Sequence, residues 1–189
     1  SWSSVDYFGN WKAFQYQAKR SFENILISVN EEENKYTIYI VNDELISKKE
    51  KLELQLIDFD GKNLWNTNSE INVEANSSMS YFQIDKKEFE KFNLKQAVLN
   101  LKFNEAVTNF YFVKPKDLEL KTPTISIKVL NETTIQISTN KLAKNVFLSQ
   151  EETSFNENYF DLLPNEKRII TTSKPAINVK VMSLFDTMK

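Results

Sequence analysis

Apolar and polar residues follow two different periods along this chain, and the period changes near residue 24. Before that point, large apolar side chains recur every three or four residues, which is the period of an α-helix. These positions are Tyr7, Trp11, Phe14, Ala18 and Phe22. Asp6 precedes the stripe, and N-capping is the role that we favour for it over approach to an active site. The pattern predicts one aromatic-rich amphipathic helix within residues 1–23.

From residue 25 onward the period becomes two, because apolar residues alternate with polar ones in a series of short segments. Alternation of this kind is typical of antiparallel strands that bury one face, and many short strands favour β-sandwiches. The predicted inward residues are Tyr36, Ile38, Ile40, Leu52, Leu54, Leu56, Ile71, Val73, Ala75, Ala97, Leu99, Leu101, Phe103, Phe110, Phe112, Ile125, Ile127, Val129, Ile135, Ile137, Val146, Leu148, Ile169, Thr171, Ile177, Val179 and Val181.

Three segments interrupt the strands. Asp60-Gly61 predicts a turn, and the charged segment 85–92 predicts a short helical turn. The segment Lys114-Pro115-Lys116-Asp117 predicts a linker, since proline cannot donate a backbone hydrogen bond to a β-ladder and the charged residues favour solvent. The sequence therefore predicts a terminal segment over 1–23, one sandwich over 24–115 and a smaller one over 116–189.

Composition excludes several kinds of site. The 189 residues include no His and no Cys, which removes imidazole catalysis, thiol catalysis and His or thiolate metal sites. Only two glycines are present, so a glycine-rich phosphate loop is excluded. We expect no cofactor and no metal. A net charge of −2 gives no electrostatic footprint for nucleic acid, and no apolar run approaches the roughly 20 residues of a membrane span.

Two motifs resemble the C-terminal region of β-mannosidases of glycoside hydrolase family 2. The first runs through Ser1-Trp2-Ser3, Asp6-Tyr7-Phe8-Gly9, Trp11-Lys12-Ala13 and Ala18-Lys19-Arg20. The second is the Phe-Asp-Leu-Leu-Pro-x-Glu pattern within residues 158–172. The chain departs from the family at Phe14-Gln15, where Leu-His is common. The two motifs lie in the family's order at opposite ends of the chain.

The resemblance implies an all-β chain of two tandem immunoglobulin-like β-sandwiches, preceded by one α-helix left over from a catalytic β/α barrel. It implies that the chain is a C-terminal fragment of an enzyme that hydrolyses terminal β-mannosides. The family's catalytic Glu pair would precede Ser1, so we expect no catalytic residue here and no activity of these residues alone. The expected partners are the protein's own barrel and, through it, a β-mannoside glycan. A bacterial, periplasmic or secreted location is also expected.

A few residues have both a binding and a packing interpretation. The resemblance places Trp2 at the catalytic face, where it would either contact substrate or pack at the barrel rim. Trp65 is a candidate sugar platform, although packing at a sandwich edge is favoured. Asp58-Phe59-Asp60-Gly61 faintly resembles a calcium loop, but it lacks the later oxygen ligands, so a turn is favoured. In Phe160-Asp161-Leu162-Leu163-Pro164, both leucines are expected to be buried and Asp161 to bond nearby backbone.

Two alternatives stay open at this point. The chain could be a stand-alone carbohydrate-binding or adhesion module, which predicts a coplanar pair of exposed aromatic residues that includes Trp65 or Tyr111. A related family 2 activity, such as an exo-glucosaminidase or a galactosidase, would keep the same architecture. If the chain comes from a β-mannosidase or from a related family 2 enzyme, the face formed by Tyr7, Trp11, Phe14 and Phe22 lacks its barrel. We expect it to be disordered, to fold back on the first sandwich or to self-associate.

Overall fold

The computed structural model describes residues 4–188, which contain one helix, α1 (Ala13–Ser21), followed by thirteen strands. The strands are β1 (Ile25–Glu31), β2 (Lys35–Asn42), β3 (Lys48–Asp58), β4 (Asn63–Val73), β5 (Ser77–Asp85), β6 (Ala97–Phe103), β7 (Ala106–Phe110), β8 (Ile125–Asn131), β9 (Thr134–Thr139), β10 (Ala143–Ser149), β11 (Phe160–Leu162), β12 (Lys167–Thr171) and β13 (Lys180–Met182). They form two compact units, so the predicted all-β fold with one helix is confirmed.

The first unit, residues 23–58 and 62–119, is a sandwich of a three-stranded sheet, β1-β2-β5, and a four-stranded sheet, β4-β3-β6-β7. All of these pairings are antiparallel. Alternation along β3 sets the core, since Leu52, Leu54 and Leu56 are fully buried and face Phe103, Leu101 and Leu99 of β6. A core of this kind is the expected result of the period-two pattern.

Several aromatic rings pack around Phe89 in the first unit. The predicted helical turn at 85–92 is present as a short 3-10 helix, Lys86–Glu88, whose N-cap Asp85 accepts a hydrogen bond from the Lys87 amide. This turn places Phe89 in the core, where the Tyr36 and Trp65 rings lie 6.0 and 5.2 Å from it. Trp65 is thus a half-buried residue that packs against Phe89, in agreement with the packing role favoured for it.

The second unit comprises residues 4–22, 59–61 and 120–188. Its sandwich has two three-stranded sheets, β12-β9-β8 and β11-β10-β13. Buried residues from both sheets and from the segments that connect their strands form the core: Ile135, Ile137, Ala143, Val146, Leu148, Phe155, Phe160, Leu162, Ile170 and Ala176. In the 59–61 segment, Gly61 has a φ of 93°, the left-handed conformation that a tight turn needs. The turn interpretation of Asp58–Gly61 agrees with this geometry.

Several predictions of buried residues in the second unit are wrong. Val129 is 55% exposed, and Thr171 is exposed as well. Ile170, rather than Ile169, is the buried residue of β12, because the pairing of Ile170 with Ile135 sets which face is inward. Ile177 is 77% exposed and precedes β13 instead of opening a strand there. Leu162 is buried as expected, but Leu163 is only half-buried, since it follows the end of β11.

α1, the helix within the described residues, is too short and too polar to cross a membrane.

Candidate functional site

The segment before α1 is a loop, which corrects the prediction that the helix runs through it. Val5 and Trp11 form an isolated β-bridge, and Gly9 turns the chain with a φ of 84°. Asp6 does not cap the helix. Its carboxylate instead accepts hydrogen bonds from the amides of Phe8 and Asn10, at 2.8 and 2.9 Å, and from the Asn10 side chain. The Asn10 side chain in particular holds the pKa of Asp6 below its usual value.

α1 then begins after Lys12, which provides no side-chain cap. The sequence Ala13–Ser21 lacks Gly, Pro and β-branched residues, so nothing in it opposes a helix. Lys19 and Arg20 lie in the last turn, where positive charge favours the helix dipole. A helix of nine residues is marginal alone in water and needs a surface to pack on.

That surface is a short segment of the second unit, residues 155–159, which we call the strap. Tyr16 is 4% exposed, and its hydroxyl donates to the Phe155 carbonyl at 3.1 Å. Lys19 donates to the Asn156 carbonyl, and Arg20 donates from two nitrogens to the carbonyls of residues 158 and 159, each at 3.1 Å. One tyrosine and two cations of α1 therefore make four hydrogen bonds to backbone carbonyls of the strap.

The strap can offer its carbonyls outward because its own side chains are anchored inside the unit. Asn158 is 3% exposed, and its side chain bonds both the amide and the carbonyl of Leu148 in β10, at 2.8 and 2.9 Å. Asn156 accepts from the Thr171 amide, and Phe155 forms a bridge with Thr172. Left-handed backbone at Tyr159, with a φ of 54°, turns the chain into β11.

An ion network joins the two sequence motifs through the strap. Arg20 lies 3.8 Å from Glu157, and Glu157 lies 3.4 Å from Arg168. Arg168 makes two bonds to Glu166, at 3.1 and 2.7 Å, and stacks over the Phe160 ring. Glu166 also accepts from the Leu163 amide. Arg20 of the first motif and Glu166 of the second thus belong to one connected set of contacts, although they are far apart in sequence.

Asp161 of the second motif behaves as expected. One of its oxygens accepts from the Asn145 amide at 2.9 Å, and the other pairs with Lys144 at 3.4 Å. Asn145 has a φ of 50°, a conformation that a hydrogen-bonded backbone amide helps to hold. The motif therefore holds the irregular register in which β10 pairs with β11.

Most of the predicted aromatic stripe does not pack, although the Trp11 ring contacts Tyr16 at 5.3 Å, and the opposite side of the helix does pack. Phe14 is 66% exposed, Phe22 86% and Trp11 43%, while Tyr7 and Phe8 in the loop are 96% and 84% exposed. The prediction that this stripe is disordered or folds back is wrong for these residues, because α1 is formed and docks through Tyr16. Self-association stays a prediction. Trp2, the candidate substrate residue, lies outside the described residues.

The exposed aromatic residues of the described chain all lie in this N-terminal segment. Tyr7 and Phe8 are nearly perpendicular, at 87°, so they are not coplanar. Tyr111 is half-buried. The aromatic pair that a sugar-binding sheet would carry is therefore absent from the strands of residues 4–188.

The docked tyrosine gives a pH dependence that can be tested. Burial raises the pKa of Tyr16 above its usual value of 10.0, so the neutral form is favoured in the folded state. The stabilisation is fully present below pH 10 and is lost as pH rises through the raised pKa. We expect wild-type protein to melt above Tyr16→Phe at pH 8 and to have a smaller advantage at pH 11. Calorimetry at both values checks this, and a pH-independent difference would contradict it.

Comparison with known proteins shows which domain families match this chain. The model of the mannosidase Ig/CBM-like domain matches residues 34–117, and the mannosidase model described as an Ig-fold domain matches residues 117–187. No curated protein matches the chain.

Two solved structures have the same fold. The β-D-mannosidase from Dictyoglomus thermophilum is 23% identical with a TM-score of 0.82, and the match covers 97% of this chain and 24% of that chain. The exo-chitosanase CsxA from Amycolatopsis orientalis is 11% identical with a TM-score of 0.64, over 96% and 29% of the two chains. The chain thus spans about a quarter of the length of these proteins. Its two sandwiches belong to the mannosidase Ig/CBM-like and mannosidase Ig-fold domain families.

Proposed function

We propose that this chain is the non-catalytic C-terminal region of a β-mannosidase-like retaining glycoside hydrolase, which hydrolyses terminal β-mannosides. The observation that carries the proposal is the tandem match of two mannosidase Ig-domain models over 34–187, in a chain that spans 24% of the solved β-mannosidase. In this role the second unit holds α1 in place through the strap. The exposed side of α1 then receives the catalytic domain of the longer protein.

The orientation of α1 supports this role. A helix in a complete domain turns its apolar side inward, whereas α1 docks through Tyr16, Lys19 and Arg20 and leaves Phe14 and Phe22 in solvent. Contiguous exposed aromatic surface of this kind marks an interaction site. The polar contacts with the strap fix the helix, so that the aromatic side is presented to a partner.

The carboxyl groups also support a non-catalytic role. Retaining glycoside hydrolysis needs a carboxylic acid with a raised pKa near a second carboxylate. The carboxyl groups with a clearly displaced pKa are Asp6, Glu32, Asp60, Glu119 and Glu152, and each is displaced downward. In each, a side-chain hydrogen bond is the largest cause, as with the Lys121 ammonium on Asp60. Such groups hold negative charge at neutral pH and are poor acids.

The first test is activity. We expect purified 1–189 to release no p-nitrophenol from p-nitrophenyl β-D-mannoside, whereas the product of the complete reading frame releases it. Turnover by 1–189 would refute the non-catalytic role. A reading frame that encodes no catalytic domain would refute the proposed context.

The second test addresses the exposed side of α1. In the longer protein, Phe14→Asp with Phe22→Asp should lower the free energy of unfolding by about 3 kcal/mol, because buried charge replaces two buried rings. Gln17→Asp is the matched control, since Gln17 is also exposed on α1 and the same residue type is introduced. Equilibrium urea unfolding of the longer protein measures both. Equal effects of the double variant and the control would argue against docking of a partner here.

A second candidate function is carbohydrate binding by the first unit, because the family that matches residues 34–117 is described as Ig/CBM-like. The strands of this unit lack a pair of exposed aromatic residues, so a binding surface here would have to use polar side chains.

A further inference from the structure

The outer face of the sheet β4-β3-β6-β7 carries two rows of aligned side chains. The register places the first row side by side as Asn66, Gln55, Asn100 and Asn109. The second row is Asn68, Glu53, Lys102 and Val107. We call these eight positions the amide face. Since Leu52, Leu54 and Leu56 alternate with them along β3 and are fully buried, the amide face points away from the core.

The composition of this face is unusual for a solvated sheet. Five of its eight positions are Asn or Gln, although these residue types make up only 28 of the 189 residues of the chain. Asn is disfavoured in strands by its own propensity, so nothing local explains five aligned amides. Glu53 and Lys102 lie opposite each other in the register of β3 and β6 and have opposite charge, so the two rows carry no net charge. The carboxylate of Glu53 pairs with Lys51, its neighbour on the same face of β3, at 3.0 Å.

The amide side chains that β3 and β4 contribute to the amide face are available to a ligand. Asn100 donates to Asn109 at 2.8 Å, so one end of the first row is fixed. Within the part of the chain that the structure describes, the side chains of Gln55, Asn66 and Asn68 make no hydrogen bond to protein, and all three are exposed. Each primary amide offers two donors and one acceptor oxygen. Four strands at a spacing of about 4.8 Å spread the first row over about 14 Å.

We propose that the amide face binds a neutral oligosaccharide. Sugar hydroxyls both donate and accept, which matches an uncharged array of groups that do the same. The row is too long for one sugar unit and fits a chain of them lying across the strands. An anionic or cationic polymer would find no net charge to pair with. The site lies within the Ig/CBM-like match and does not depend on whether the longer protein is a glycosidase.

The test uses the chain 1–189 and two probes, β-1,4-mannohexaose and cellohexaose, in isothermal titration calorimetry. We expect a dissociation constant of about 1 mM or tighter for at least one probe, and the tighter one identifies the glycan. The variant with Gln55→Ala, Asn66→Ala and Asn68→Ala should bind at least about tenfold more weakly. Gln83→Ala is the matched control, an exposed amide in β5 of the other sheet of the same unit, and should bind as wild type.

Three outcomes would overturn the proposal. The first is no binding of either probe at about 10 mM, and the second is equal binding by wild type and the triple variant. The third is a wild-type dimer in sedimentation velocity that the triple variant abolishes, because a second copy would then cover the face. Unchanged melting temperatures confirm that the variants are folded. Failure here leaves the proposed function intact, whereas release of shorter sugars from either probe would refute the non-catalytic role separately.

Discussion

Replacement of Tyr16 with Ala should release α1 from the strap. The Tyr16 side chain is 4% exposed, lies 5.3 Å from the Trp11 ring and 5.9 Å from the Tyr159 ring, and bonds the Phe155 carbonyl. Truncation of a buried aromatic residue to Ala costs about 3 kcal/mol or more. Ala is the better helix former, so a loss of docking cannot be ascribed to a weaker helix. The population of undocked helix should rise about hundredfold.

Limited trypsin digestion measures that population. Lys19 and Arg20 are cleavage sites whose side chains are bonded to the strap, so cleavage after them requires release. When opening is fast relative to cleavage, the cleavage rate follows the open population. The rate should therefore rise about hundredfold in Tyr16→Ala, as read by the mass of the released peptides.

Two further variants separate the contributions. Phe14→Ala is the matched control, an aromatic residue on the same helix that is 66% exposed, and should change the rate less than threefold or so. Tyr16→Phe removes only the hydroxyl bond and should fall between the two. If Phe14→Ala releases the helix as strongly as Tyr16→Ala does, the docking face has been assigned to the wrong side.

The helix also shows what the sequence could not reveal. A period of 3.6 residues correctly indicated helix, but the period continued across Tyr7 and Gly9, where the chain is a loop. The docking face consists of Tyr16, Lys19 and Arg20, two of which are charged. Hydrophobic periodicity detects burial of apolar side chains, and it cannot detect a cation that bonds backbone carbonyls. Those carbonyls become available only through the strap, which lies about 140 residues later in the chain.

The strands were easier to predict where alternation is unambiguous. Leu52, Leu54 and Leu56 alternate with polar residues, and no other register could bury all three. Ile169 and Ile170 are adjacent and equally apolar, so local sequence cannot decide which one faces the core. The pairing of Ile170 with Ile135 decides it, and that pairing is a long-range contact. The amide face was missed for a related reason, because its rows exist only after four strands are aligned.

Replacement of Asn158 with Ala should destabilise the second unit by about 3 kcal/mol. Asn158 is a buried amide whose oxygen accepts from Leu148 and whose nitrogen donates to the carbonyl of the same residue. Ala would leave both backbone groups of Leu148 buried without partners, since Leu148 itself is 1% exposed. Each buried polar group that loses its partner costs about 1–3 kcal/mol. Urea unfolding of wild type and variant measures the difference.

A control and an additional variant test whether the burial of Asn158 causes the loss of stability. Asn156→Ala removes one bond, from the Thr171 amide, at an exposed position where water can replace the side chain, and should cost about 1 kcal/mol or less. Asn158→Asp keeps the shape but removes the donor to the Leu148 carbonyl and buries a charge. Burial raises the pKa of that introduced carboxyl, so the neutral acid is favoured in the folded state. Stability of Asn158→Asp should therefore be greatest at low pH and fall as pH rises through the raised pKa.

Both substitutions at Asn158 should also weaken helix docking, because Arg20 bonds the carbonyls of residues 158 and 159. Trypsin cleavage after Arg20 should accelerate in both, at urea concentrations where the second unit is still folded. If unfolding energies fall but cleavage does not accelerate, the strap holds α1 without needing its own anchor. If Asn158→Ala costs no more than Asn156→Ala, the anchor is not the buried amide. The coupling of the two measurements is what identifies residues 155–159 as the element that positions the helix.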